Sequence, residues 1–103
     1  MTSRALLPTI ALVAFAEGVD RDLKLEFDDL SAKASAMIET VNTFEQQAKD
    51  KGETLHSDIA EQRALVQTSI ARAEAALRDK NNTELRERLT RARGHIERLS
   101  KML

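Results

Sequence analysis

Residues 23–48 read LKLEFDDLSAKASAMIETVNTFEQQA. Within that stretch Leu23, Phe27, Leu30, Ala34, Met37, Val41, Phe44 and Ala48 recur at alternating steps of four and three. This is the a/d spacing of a left-handed coiled coil or helical bundle, in which one narrow apolar seam faces a partner helix. A helix from about residue 20 to 50 would be roughly 45 Å long at 1.5 Å per residue. One stripe on so long a rod cannot be buried by the rod itself, so the pattern requires another helix, from the same chain or a second copy. The chain is therefore read as all-α. Its candidate interaction seam is Leu23, Phe27, Leu30, Met37, Val41 and Phe44.

Beyond this stretch the register stumbles around Gly52. Lys49 and Lys51 suit a helix C-terminus, Gly52 suits a left-handed cap, and Asp58 with Glu61 has the spacing of a capping box. Ala48 and Leu55 nevertheless keep the seven-residue step, so a continuous helix is the alternative. The balance favours a break between residues 50 and 57. The next stripe is Leu55, Ile59, Val66, Ile70, Ala73 and Leu77, flanked by Gln62 and Ser69. Its steps suit a straight helix or an eleven-residue repeat better than a strict heptad.

Lys80-Asn81-Asn82-Thr83 ends that helix. Asparagine tolerates left-handed backbone, and Asn82 or Thr83 is expected to cap the last helix. That helix carries Leu85, Leu89, Ala92, Ile96, Leu99 and Leu103 in heptad spacing. Glu84 with Arg88, Glu87 with Arg91, and Glu97 with Lys101 are acid-before-base pairs four apart, each stabilising by a few tenths of a kcal/mol. Leu85, Leu89, Ile96 and Leu99 should be buried, and Arg91 and Arg98 should face solvent. Gly94 interrupts this helix at a cost of about 1 kcal/mol, which suggests the close approach of a neighbouring helix.

The first sixteen residues stand apart. After Arg4, residues 5–16 hold a single polar side chain, Thr9, and end in Ala14-Phe15-Ala16 before Glu17. A basic residue, a short apolar run and a small-x-small ending suit a secretory signal. Equally, Pro8 suits a first helical turn and Gly18 the position after a last one, so the segment also reads as a short buried helix. Retention implies a cytoplasmic protein and cleavage a periplasmic or secreted one. Membrane contact is conceivable only here, and the run is shorter than the ~20 residues a spanning helix needs. The domain organisation is thus an apolar N-terminal segment, 1–16, and a helical bundle, 17–103.

Composition narrows the function classes. There is no Cys, Trp or Tyr among the 103 residues. Thiolate metal sites, disulfides and thiol nucleophiles are excluded, and the large aromatic anchors of ligand pockets are missing. The net charge of −1 hides an asymmetry. Residues 17–61 hold twelve acids and five bases, whereas residues 62–103 hold ten bases and five acids. Such halves complement one another, within a chain or between chains.

Chemical motifs are sparse. Glu53-Thr-Leu-His56 has the spacing of a di-iron bundle motif, but it occurs once, and His95 has no Glu three residues before it. His56 therefore reads as a solvated histidine near a turn, and His95 as a flank of the apolar seam. No nucleophile elbow or phosphate loop is present, and Asp28-Asp29 diverge around a helix. Arg86, Arg88, Arg91, Arg93, Arg98 and Lys101 are dense enough for a phosphate surface. They spread around the polar arc among Glu84, Glu87 and Glu97, which suits a solvated, salt-bridged face.

The expected architecture is three long helices, about 20–50, 56–79 and 84–102, with or without a short apolar N-terminal helix. Short loops make sequence neighbours antiparallel and set the acidic first helix parallel to the basic third. The alternative is an elongated coiled coil of roughly 60 residues with a C-terminal hairpin. The expected function is a non-enzymatic interaction or assembly protein, a homo-oligomer or partner of another helical protein, with no cofactor, metal or small-molecule substrate. An exported helical adaptor is the second reading, and a small metal- or nucleic-acid-binding regulator the third.

Overall fold

The computed structural model describes residues 19–103, so the expectations for residues 1–16 lie outside the described residues. Three helices run in order: α1 (Arg21–Asp50), α2 (Ser57–Arg78) and α3 (Asn82–Met102). The described chain is all-helical, and the helix breaks around Gly52 instead of running through it.

Each helix begins on a side chain that satisfies an orphan amide. Asp20 caps α1, accepting from the Asp22 amide at 2.8 Å. The cap of α2 is not Asp58, as its capping-box spacing suggests, but His56, whose Nδ1 accepts from the Asp58 amide at 3.3 Å. Nor do Asn82 or Thr83 cap α3. Asn81 does, through Oδ1 and the Glu84 amide at 3.1 Å, and the helix starts one residue on, at Asn82.

Both connections end their helix in the same way. At the end of α1, the Glu53 amide reaches the Ala48 carbonyl at 2.7 Å and the Gly52 amide reaches that of Lys49 at 3.0 Å. This pair of bonds is a Schellman motif, and it needs one left-handed residue, here Gly52 at φ +76°. At the end of α2, the Asn81 amide meets the Ala76 carbonyl at 3.0 Å and the Lys80 amide meets that of Leu77 at 3.1 Å. The left-handed residue there is Lys80, at φ +57°, and not an asparagine. Both asparagines are engaged elsewhere, Asn81 as the cap and Asn82 on α1.

Side chains between helices set their relative directions. Arg63, in the second turn of α2, donates to Asn42 Oδ1 at 2.8 Å and to Glu45 Oε1 at 3.0 Å, near the end of α1. Helices α1 and α2 are therefore antiparallel. The Asp20 amide donates to Asn82 Oδ1 at 3.0 Å, joining the starts of α1 and α3. Glu26 pairs with Arg93 between the same two helices, so the acidic helix does lie along the basic one.

The core keeps to the heptads. Leu23, Leu30, Ala34 and Val41 of α1 meet Val66, Ala73 and Ala76 of α2 and Leu85, Leu89, Ala92, Ile96 and Leu99 of α3. Every α3 seam position but the terminal Leu103 is buried, while Arg91 and Arg98 are exposed as expected. In α2, Ala76 is buried and Leu77 only half-buried, so its stripe is rotated from the expected one at that end. Gly94 overturns an expectation: no atom lies within 4 Å of the position a Cβ would take. No neighbouring helix explains it.

Candidate functional site

Among the described residues the closed core leaves a hollow at the start of α1, lined by Val19, Leu25 and Leu77, and two further surfaces. The first is a step at the far end of α1. Since α1 and α3 start at the same level, their lengths decide where cover ends. The 21 residues of α3 reach roughly 31 Å, whereas Phe44 lies ~35 Å along α1. The third wall of the bundle therefore stops just short of Phe44, which is 40% exposed although it holds a seam position. The shorter α3 ends in Met102 and Leu103, exposed by 39% and 42%.

The six candidate seam residues thus divide. Leu23, Leu30 and Val41 are buried within the chain itself; Phe27 and Met37 are half-buried, packed against the core; Phe44 is exposed. Most of the seam is filled by the chain's own α2 and α3, and what is free of them is concentrated at one end.

Beside the step, Arg63 and Glu45 close the α1–α2 seam as a two-pronged pair, at 3.0 and 3.4 Å. The hydrogen bond from Arg63 holds the Glu45 carboxyl below the usual carboxylate range, and the charges of Arg63 and Lys49 act in the same direction against partial desolvation.

The second surface is a groove between α2 and α3 of about 90 Å³. Thr68, Ser69 and Arg72 line it from α2, and Arg88, Arg91 and His95 from α3. It adjoins a cleft lined in part by Thr90, Gly94 and Arg98 at one end, and another by Asp79, Asn81 and Glu84 at the other. Glu84 engages Arg88, accepting from Nε at 3.1 Å and Nη2 at 2.9 Å. Among the described residues Arg72, Arg91 and Arg98 have no acidic partner within ion-pair distance. His95 Nδ1 is buried without a hydrogen-bond partner.

The α3 bases are visible in the sequence, but nothing in it associates Arg72 with them. Residues sixteen and more apart on two helices show no spacing signal. Only the way α2 rolls onto α3 brings them together.

The Glu53–His56 pair falls in the connection between α1 and α2, where the histidine ring is spent on capping. Among the described residues no three His, Asp or Glu side chains are grouped to hold a metal ion, and no helix is long and apolar enough to cross a membrane. Comparison with protein-family models, curated proteins and solved structures finds no match to this chain.

Proposed function

We propose that this is a non-enzymatic helical interaction protein that assembles with a second copy of itself through the step at the end of α1. The observation that carries this reading is Phe44, a large apolar side chain at a seam position, uncovered because α3 is shorter than α1. Met102 and Leu103, at the end of α3, are exposed apolar side chains as well. An exposed aromatic side chain is the kind of anchor that dominates association when buried.

Charge around the step favours a second copy over a foreign helix. Lys49, Asp50, Lys51 and Glu53 alternate in sign along the adjoining turn. Two copies related by a twofold axis can set each base against an acid, since such an interface is self-complementary. The apolar area is small, so the dimer is weak and concentration-dependent.

Sedimentation of the full-length chain from tens to hundreds of micromolar tests this. The weight-average mass should rise with concentration. Phe44→Asp should abolish the rise while leaving helicity nearly unchanged. Leu25→Asp, at an exposed site near the start of α1, should have no effect on it. A constant monomer mass, or association that survives Phe44→Asp, overturns the reading.

A further inference from the structure

We propose that the groove between α2 and α3 binds a phosphate-class oxyanion, a single phosphoryl group carried either by the free anion or by a lipid headgroup. The inference does not depend on self-association, which uses another face.

Charge is the first argument. The fold brings Arg72, Arg88 and Arg91 to the lining of one groove, and arginine keeps its charge throughout the working pH range. Glu84 answers Arg88 alone, through Nε and Nη2. Like charges gathered in this way repel one another, and a dianion between them converts repulsion into attraction. Guanidinium forks also match the planar pairs of oxygens that a phosphoryl group presents.

Hydrogen-bonding capacity is the second. Thr40, Thr43 and Thr90 spend their hydroxyls on their own backbone, each donating to the carbonyl four residues earlier at 3.0–3.1 Å. The hydroxyls of Thr68 and Ser69, which line the groove, make no such bond among the described residues. Together with the unpartnered Nδ1 of His95, they add polar groups to the charged ones.

Size and surroundings narrow the ligand. The groove, of about 90 Å³, has room for one tetrahedral oxyanion. The two described phenylalanines, Phe27 and Phe44, both belong to α1, so no phenyl ring lines the groove.

The test is a titration of the full-length chain with sodium phosphate against sodium chloride at matched ionic strength, monitored by amide NMR. Saturable shifts are expected in residues 68–72 and 88–95 with phosphate only. Arg72→Gln and Arg91→Gln should each weaken binding about tenfold, ~1.4 kcal/mol. Arg86→Gln, exposed on α3 and absent from the groove lining, should leave it unchanged. Circular dichroism of each variant confirms that helicity is retained.

Phosphatidylcholine vesicles with and without phosphatidic acid separate the two sources. Sedimentation with the acidic vesicles that is lost in Arg72→Gln assigns the lipid headgroup, and phosphate binding without it assigns the free anion. Equal shifts with chloride, equal phosphate affinity in Arg72→Gln and the wild type, or binding confined to a single-stranded oligonucleotide would each overturn the proposal.

Discussion

The backbone amide of Asp20 donates to Oδ1 of Asn82 at 3.0 Å, across 62 positions of sequence. One side chain at the start of α3 thereby holds the residue that caps α1, and the two helices are brought level. That level decides which part of α1 the third helix covers. Asn82→Ala should cost about 1 kcal/mol and release the Asp20 amide to fast hydrogen exchange. Unchanged protection of that amide would mean that the bond does not align the helices.

Two backbone substitutions should stabilise the protein. Gly94 is helical and a Cβ there meets nothing within 4 Å, so Gly94→Ala should gain about 0.5–1 kcal/mol in urea unfolding. Lys80 occupies the left-handed region at φ +57°, where only glycine is free of strain, so Lys80→Gly should gain about 1 kcal/mol. The reverse change at Gly52, to Ala, places a Cβ in the same region and should lower the unfolding midpoint.

The Glu45–Arg63 pair gives an acid dependence whose sign is set by the lowered carboxyl pKa. A carboxylate that is easier to ionise in the folded state stabilises fully above its ordinary value of 4.5. The contribution fades as pH falls through the lowered folded value. NMR titration of Glu45 should show a midpoint below the ordinary one, returning upward in Arg63→Gln. Glu45→Gln should make stability less sensitive to pH in that acid window and leave the helices intact.

Core and step should respond differently to truncation. Leu89 is 1% exposed between the helices, and Leu89→Ala should cost about 2–5 kcal/mol, enough to unfold much of so small a bundle. Phe44→Ala, at the uncovered step, should shift the urea midpoint far less, by about 1 kcal/mol or under. A large loss at Phe44 in a dilute, monomeric sample would show that the ring belongs to the intramolecular core.

What the sequence by itself determined was the helical state and its periodicity. Leu23, Leu30 and Val41, and all of Leu85, Leu89, Ile96 and Leu99, can be named as seam residues because a stripe at steps of three and four has one physical reading. The turn at Gly52 is legible because a glycine after basic residues carries its own backbone preference. The cap at Asn81 and the left-handed residue at Lys80 each sit one position before the expected residue. Several neighbours there could serve, and the winner depends on what else each must bind.

Tertiary structure decided the rest. The exposure of Phe44 comes from the unequal lengths and shared starting level of α1 and α3, a relation between elements that no local window contains. Gly94, expected at a point of close approach, is open because a glycine marks a missing side chain without saying which face it lies on. The meeting of Arg72 with Arg88 and Arg91 depends on the rotation of α2 about its own axis. That rotation is set by the burial of Val66, Ala73 and Ala76 against α3, because packing fixes the angle at which apolar area is removed from water.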